Sequence, residues 1–253
     1  MLSSQRLIDF MTVGSWLVCT LPTLAQSPTN PSALFDKEFS EVYFQPPSND
    51  KKPEDTADAG SRQSISCLQN LNPTTLMNVS SEQKILIPLI PRTNLGLTVS
   101  ERPKLWIYVP NTSAQQIILS IREEGKVHHS RTIVPIQGGS GIVSLQPHQN
   151  SLPLKMDKDY KLSVVLVCGK NPGPNDPALD VWVRRVKSPN SFEQESILKQ
   201  AAWYGREGIW YDSLDSLMQA RKFQPQNQDL QNIWSKFLES EGLEKIASEP
   251  VHF

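Results

Sequence analysis

Close pairs of carboxylates are the residues of this sequence that come nearest to a catalytic pattern. The pairs are Glu123 and Glu124, Asp157 and Asp159, and Asp212 and Asp215. Two carboxylates share general acid and base work only in a partly dry, concave site that separates their pKa values. The first two pairs lie in predicted turns, and the third has i, i+3 spacing on the outer face of a predicted helix. We therefore expect solvated positions for all three pairs and predict no catalytic residue.

A glycine-rich run and two histidines also suggest chemistry at first sight. Residues 138–141, GGSG, suggest a phosphate loop or a nucleophile elbow, but both motifs need a strand before them and a helix after them. A strand is predicted to follow this run, which is therefore interpreted as a turn. His128 and His129 are adjacent, so on a strand they point to opposite faces and cannot bind one metal ion. Neither a metal nor a cofactor is expected.

The first 25 residues have the pattern of a signal peptide. Arg6 supplies a positive charge, residues 10–24 are mostly apolar, and Thr23 and Ala25 are small residues that suit cleavage after position 25. The apolar span is shorter than the roughly 20 residues of a transmembrane helix. We expect export to the periplasm or the cell exterior, without stable membrane insertion after cleavage. An uncleaved signal anchor is the alternative.

The number of cysteines in the mature chain predicts a disulfide. Of three cysteines, Cys19 lies in the predicted signal peptide, which leaves Cys67 and Cys168 in the mature chain. An even number of cysteines in an exported protein is typical of a disulfide. The chain-entropy model assigns a loop of about 100 residues roughly 4–5 kcal/mol of stabilisation. Two buried free thiols are the alternative.

The composition is compatible with a globular domain that carries disordered parts. Hydrophobic residues make up 38% of the chain, charged residues 20%, and the formal net charge is −1. No basic block indicates nucleic acid binding, so nucleic acid is not expected as a partner. Residues 26–61 are rich in proline and polar residues and are predicted to be a disordered linker. Within it, residues 42–44, VYF, form either a short edge strand or an anchor for the linker.

Residues 62–188 have the pattern of a β domain. Seven or so short apolar or alternating runs, separated by turn residues, predict an antiparallel, immunoglobulin-like β-sandwich. The run before Tyr160 resembles the corner in such sandwiches where a tyrosine hydroxyl hydrogen-bonds back to the chain. Cys168 follows this tyrosine by eight residues rather than two, so only the corner is inferred and not the disulfide arrangement.

Residues 191–246 form a predicted helical tail, and its aromatic residues are unusually dense. Trp203, Tyr204, Trp210 and Tyr211 fall within nine residues, with Gly208 between the two pairs. Apolar spacing predicts one helix on each side of this glycine, and a third amphipathic helix follows. Ser191 and Gln194 have the spacing of a capping box at the start of the first helix, and Pro225 lies beyond the end of the second.

The tail resembles a single tetratricopeptide repeat over residues 194–227. The matching positions are Ile197, Ala201, Tyr204, Gly208, Trp210, Ser213, Leu217, Ala220 and Pro225. Stacked repeats usually need about three units to bury a continuous core. One unit therefore predicts that the hairpin packs on the preceding domain, with Trp203, Trp210 and Trp234 largely buried. The alternative is an exposed peptide-binding groove that uses Trp203, Tyr204, Gly208, Trp210, Tyr211 and Leu217.

The mature chain is also similar to a family of exported cyanobacterial proteins that constitutes a domain of unknown function. The shared segments are YFQPP at 43–47, the segments 62–67, 88–91, 97–103 and 106–110, Val167 with Cys168, and the segments 181–186 and 208–212. This resemblance implies no activity.

Three functions agree with these patterns. The first is a non-enzymatic envelope protein that binds another envelope protein through the helical tail or a sheet edge. The second is a carbohydrate-binding sandwich with exposed Trp106 or Trp182 stacked on a sugar. The third is a hydrolase whose residues converge from distant loops. The sequence leaves the partner and the oligomeric state open.

Overall fold

Most of the chain after residue 85 is placed in the computed structural model, together with two earlier pieces. The structure describes residues 41–47, 67, 86–123, 128–136, 139–188 and 196–252. These residues belong to one compact unit, Asp36–Phe253. The predicted signal peptide at 1–25 lies outside the described residues, as does most of the predicted linker.

Five strands form the larger sheet, in the order β2-β8-β7-β4-β5. They are β2 (Leu95–Thr98), β4 (Gln116–Glu123), β5 (His128–Pro135), β7 (Asp159–Val167) and β8 (Ala178–Arg185). The pairs β4–β5, β4–β7 and β7–β8 are antiparallel, and β4–β5 and β7–β8 are consecutive strands of the chain. The remaining pair, β2 with β8, is parallel.

Four strands form the smaller sheet, in the order β1-β3-β6-β9. They are β1 (Ile87–Pro88), β3 (Leu105–Val109), β6 (Gly141–Leu145) and β9 (Val251–His252). β3 pairs antiparallel with both β1 and β6, whereas β6 and β9 are parallel. After the helical tail the chain therefore returns to the sheet as β9.

The fold is α+β, with two mixed sheets followed by three helices near the C-terminus, and neither sheet closes into a barrel within the described residues. The expected order of strands and then helices is confirmed. The expectation of purely antiparallel pairing is wrong at β2–β8 and at β6–β9. Both parallel pairs join segments far apart in sequence, so no local hairpin signal marks them.

Alternation along β7 shows how the strand sequences build the core. Tyr160, Leu162, Val164 and Leu166 are buried, and the residues between them are partly exposed. Each buried aliphatic side chain of this kind stabilises the fold by about 1.5–3 kcal/mol. The hydroxyl oxygen of Tyr160 accepts a hydrogen bond of 3.1 Å from the backbone N–H of Lys155, which confirms the predicted tyrosine corner.

Three helices follow the sheets: α1 (Ile197–Arg206), α2 (Trp210–Phe223) and α3 (Gln228–Ser240). The hydroxyl of Ser196 caps α1, so the helix begins later than the capping box proposed at residues 191–194, which lie outside the described residues. The predicted break at Gly208 is confirmed, because its φ is +72°, a left-handed conformation that favours glycine. A short 3-10 turn, Glu244–Ile246, leads on towards β9.

Cys67 and Cys168 form a disulfide, with their Cα atoms 5.1 Å apart. This confirms the predicted pairing. The carbonyl of Cys67 also accepts hydrogen bonds from the backbone N–H of Ser113, at 2.9 Å, and from the hydroxyl of Thr112, at 2.8 Å. The crosslink thus fixes residue 67 to the end of β7 and to the segment that leads into β4.

Candidate functional site

The aromatic residues of the helical tail pack into the interior. Trp210 is fully buried, and its indole Nε1–H donates a 2.8 Å hydrogen bond to the carbonyl of Leu89. Its ring stacks on Phe237, with the ring centres 4.9 Å apart, and meets Phe44 edge-on at 4.8 Å. The residue therefore joins α2 to α3 and to the segment before β2.

Tyr211 attaches α2 to the larger sheet. Its hydroxyl donates a 3.1 Å hydrogen bond to the carbonyl of Trp182 in β8. Its ring lies so close to β2 that a Cβ atom on Gly96 would be 2.5 Å from the ring. The tail thus packs directly on the sheet domain, and the glycine at position 96 allows that approach.

The other residues proposed for partner binding divide into buried and partly exposed positions. Leu217 is fully buried, and a Cβ atom on Gly208 would lie 2.7 Å from the Pro47 ring. Trp203 and Tyr204 are half-buried and contact each other edge-on, with ring centres 5.4 Å apart. The expected burial is confirmed for Trp210 and for Trp234, whereas Trp203 is only partly buried.

Residues 41–47, part of the predicted linker, lie against the helices. Val42 and Phe44 are buried, and the backbone N–H of Gln45 donates a 3.0 Å hydrogen bond to the carbonyl of Gly205. No strand forms in this segment. Of the two interpretations offered for residues 42–44, the structure therefore supports the anchor.

Asp212 and Asp215 are not on a solvated helix face, contrary to the prediction. The Asp212 carboxylate accepts a 3.0 Å hydrogen bond from the backbone N–H of Val99, just after β2. The Asp215 carboxylate binds the Lys104 ammonium at 3.0 Å and accepts a 3.3 Å hydrogen bond from the Trp106 indole. The prediction failed because the part of α2 that carries Asp212 and Asp215 packs against the sheet, whereas Gln219 and Phe223 farther along the helix are exposed. The contact that Asp212 and Asp215 make with Val99, Lys104 and Trp106 is called the Asp212 joint.

Burial is the main influence on the charge of the Asp212 joint. It raises the pKa of Asp212 to about 6, and the nearby Asp215 carboxylate adds to this rise. Hydrogen bonds from Thr98 and Val99 act in the opposite direction. The adjoining cavity is about 140 Å³, well below the roughly 300–1,000 Å³ of ligand sites. The joint can exchange a proton at mildly acidic pH, but it is too small to enclose a substrate.

Of the other paired carboxylates, Asp159 also departs from the predicted solvated position. Asp159 forms a two-point ion pair with the Arg184 guanidinium, at 2.6 and 2.8 Å, and is mostly buried. Asp157 is exposed, as predicted. This ion pair joins β7 to β8 and has a structural role.

One long strand edge of the larger sheet is uncovered among the described residues. β2, at one end of the sheet, is buried along its length and has α2 packed on it. β5, at the other end, has eight residues and pairs with β4 alone. Arg131, Ile133 and Pro135 are exposed, with 58% of the Ile133 surface accessible. We call this the open edge.

The register of β5 with β4 shows which backbone groups of the open edge point away from β4. The backbone N–H of Ile136, just after β5, donates a hydrogen bond to the backbone carbonyl of Gln115, just before β4. Hydrogen-bonded and non-hydrogen-bonded positions alternate in antiparallel pairs, so Val134 and Thr132 also bond inward. The N–H and C=O groups of Ile133 and Arg131 therefore point away from β4.

A groove of about 650 Å³ begins at the end of the open edge and runs to the disulfide. Its lining includes Ser113, Gln116, Ile133, Pro135, Cys168 and Lys170. We call it the disulfide groove. The sequence carried a signal for this edge that was not used: the strand HHSRTIVP ends in a proline and contains an arginine, both typical of edge strands.

The sugar-binding and hydrolytic alternatives gain no support from the described residues. Trp106 and Trp182 are buried, with 3% and 4% of their surfaces exposed, so neither can stack on a sugar. The imidazole of His148 bonds to the backbone of Asn150, and that of His252 to the carbonyl of Ser140. His128 and His129 lie in β5, and their side chains are outside the described atoms.

Searches for a metal site and for a membrane span gave no candidate in the part of the chain described. No group of three His, Cys, Asp or Glu residues is placed there to hold a metal ion. None of the helices described is both long and apolar enough to cross a membrane.

Comparison with known proteins identifies the family. No curated protein matches the chain. The model of a domain of unknown function, DUF928, matches residues 57–251. This match begins before Cys67, covers eight of the nine strands and the three helices, and ends in β9. The resemblance to a domain of unknown function is thus confirmed: the chain belongs to the DUF928 family.

Proposed function

We propose that this protein is an exported, non-enzymatic protein that binds a segment of another polypeptide along the open edge. An added strand would hydrogen-bond to the outward N–H and C=O groups of Arg131 and Ile133 and extend the five-stranded sheet. Strand addition of this kind takes its affinity from main-chain hydrogen bonds and its specificity from alternate side chains. The observation that carries the proposal is the eight-residue strand that pairs with β4 alone among the described strands.

Of the two surfaces considered, the sheet edge is better supported than the helical tail. Trp210, Tyr211 and Leu217, which would have to meet a partner in a helical groove, are enclosed by the protein itself. The outward backbone groups of the open edge, by contrast, have no strand beside them among the described residues. Unpaired strand edges are templates for another strand and are commonly covered in native proteins.

Side chains on the open edge indicate the chemistry of the partner. Arg131 and Ile133 are two residues apart and therefore lie on the same face of β5. Neither β5 nor the described lining of the disulfide groove contains a carboxylate, and that lining includes Lys170. We infer a partner strand that carries an acidic side chain opposite Arg131 and an apolar one opposite Ile133.

Export and the immunoglobulin-like form of the sandwich belong to the same proposal. The signal-peptide pattern at residues 1–25 supports export, and so does the disulfide, because such bonds persist in oxidising compartments outside the cytoplasm. The tyrosine corner at Tyr160 supports the likeness to immunoglobulin sandwiches.

A photo-crosslinking experiment in the native cells distinguishes the open edge from the tail. A benzophenone amino acid is placed either at Ile133 or at Phe223, which is 70% exposed on α2. Captured proteins are identified by mass spectrometry, and the contacting segment is then made as a synthetic peptide. We expect capture at position 133 and a segment with alternating acidic and apolar residues.

Two variants at one position then test the backbone contact. Ile133→Pro removes an outward N–H group that β4 does not use, and Ile133→Thr keeps that group with a β-branched side chain. We expect the peptide to bind the threonine variant and to lose binding to the proline variant. Capture at Phe223 alone, or equal binding by both variants, would place the interface elsewhere.

A further inference from the structure

A guanidinium at the end of α2 has no anionic partner within the part of the chain that the structure describes. The Arg221 guanidinium carbon is 4.5 Å from the centre of the Trp234 ring. Its Nη1 atom is buried and has no hydrogen-bond partner among the described residues. Arginine is rarely buried unless it is paired, and an unsatisfied buried polar group calls for an explanation.

This guanidinium lines a groove between α2, α3 and the turn that follows α3. The volume of the groove is about 470 Å³, within the range of small-molecule sites, which is about 300–1,000 Å³. Besides Arg221 and Trp234, its wall includes Gln231, Ser235, Glu239 and Glu244. We call it the Arg221 groove.

The groove is held in shape by contacts of its own. Trp234 is buried, and its indole Nε1–H donates a 2.9 Å hydrogen bond to the carbonyl of Ala247. Gln231, Ser235 and Glu239 recur every four residues along α3 and so form one wall. The floor and this wall therefore exist before any ligand arrives, which lowers the cost of binding.

Charges in the groove restrict the class of ligand. The side chain of Arg221 is positive, and those of Glu239 and Glu244 are negative and exposed. An anion would satisfy the guanidinium, but a purely anionic ligand would be repelled by the two carboxylates. A ligand with both a carboxylate and an ammonium group fits both signs.

We propose that the Arg221 groove binds a small zwitterion, an amino acid or a dipeptide. Its carboxylate pairs with the Arg221 guanidinium, and its ammonium group faces Glu239 and Glu244. Arginine and carboxylate form charge-assisted, two-point hydrogen bonds, and the Arg221 side chain forms part of the groove wall. This proposal is independent of strand addition at the open edge, which lies on another part of the molecule.

Titration of the full mature chain with glycylglycine tests the proposal. The indole N–H resonance of Trp234 reports on the groove by NMR, and acetate and ethylamine serve as the carboxylate-only and amine-only probes. We expect a saturable shift with glycylglycine and weaker binding of both fragments. Arg221→Gln should weaken glycylglycine binding by about tenfold or more. The matched control, Arg206→Gln on the exposed end of α1, should bind normally.

A second variant covers the case in which Arg221→Gln disturbs folding. Ser235→Phe fills the groove at an exposed position and leaves the guanidinium in place. We expect this variant to lose the Trp234 shift, and Glu239→Gln to reduce glycylglycine affinity towards that of acetate. No saturable shift would mean that Arg221 pairs with a groove glutamate in solution, and the proposal would be overturned. Equal affinities for acetate and glycylglycine would overturn it as well.

Discussion

The two edge strands of the five-stranded sheet differ in burial: β2 is covered and β5 is exposed. At one edge, β2 is buried in all four residues, and Tyr211 of α2 lies directly on Gly96. At the other edge, Arg131 and Ile133 of β5 reach solvent. Both strands present the same physical problem, a row of backbone groups without a neighbour. The helical tail packs on one edge of the sheet, and this difference is why we propose binding at the other edge.

Covering β2 takes up the aromatic residues that first suggested a binding groove. Trp210 and Tyr211 donate their side-chain hydrogen bonds to the carbonyls of Leu89 and Trp182. Buried aromatic residues with satisfied polar groups are typical of structural cores. These two aromatic residues of the tail are therefore packed as part of the fold.

Trp210→Ala should give the largest effect, because it removes the buried residue that joins α2 to α3 and to the segment before β2. The change leaves a cavity beside Phe237 and an unpaired carbonyl at Leu89, which should cost about 3–5 kcal/mol of unfolding free energy. Urea denaturation measures this loss. Trp203→Ala is the matched control, since Trp203 is half-buried, and should cost less than half as much. Equal losses would contradict the assigned role of the tail.

Much of this architecture could be predicted from local patterns. The break at Gly208 and the corner at Tyr160 each depend on residues close together in sequence. The disulfide between Cys67 and Cys168 could be predicted because the mature chain offers only these two cysteines. In each case the necessary information is contained in residue type and spacing.

What could not be predicted depends on contacts between distant segments. β2 contains a glycine and is buried throughout, so its residues show no alternation, and its parallel partner is more than 80 residues away. Asp212 and Asp215 have the spacing of a surface pair, yet they meet Val99 and Lys104. The two aspartates lie on the part of the α2 surface that meets these distant segments, and only the assembled structure shows this.

Lowering the pH should raise the free energy of unfolding through Asp212, which contacts the chain just after β2. Its pKa is about 6 in the folded protein and 3.8 in its ordinary state, so the folded state binds the proton more tightly. This group therefore adds stability below about pH 4 and loses that contribution as pH rises through about 6. The difference is up to about 3 kcal/mol, at 1.36 kcal/mol per pKa unit.

Asp212→Asn tests this dependence on pH. The amide oxygen can still accept the hydrogen bond from Val99, but the side chain no longer ionises. We expect unfolding free energies of the variant to be flatter between pH 4 and 7 than those of the parent chain. Asp229→Asn, at an exposed position of α3, is the control and should retain the parent profile. An unchanged profile in Asp212→Asn would show that another group causes the dependence.

A smaller loss is expected from Gly96→Ala, which tests the close approach of α2 to β2. The added Cβ atom would lie 2.5 Å from the Tyr211 ring, so α2 must shift, at a cost of about 1–3 kcal/mol. For a chain of this size the melting temperature should fall by about 2–4 °C per kcal/mol. At Gly169 a Cβ atom would make an ordinary 3.7 Å contact, so Gly169→Ala should leave the melting temperature nearly unchanged. Similar shifts for both variants would argue against tight contact at β2.

The smallest effect on stability should come from Ile133→Pro at the open edge. The Ile133 N–H points away from β4, so proline removes no hydrogen bond of the sheet, and we expect a change within about 0.5 kcal/mol. Val134→Pro, one residue later, removes an inward N–H and should destabilise the protein by about 3 kcal/mol or more. Urea denaturation of the two variants compares the two sides of one strand. If Ile133→Pro is as damaging as Val134→Pro, the N–H of Ile133 already has a partner in the folded chain, and the edge is not free to accept a strand.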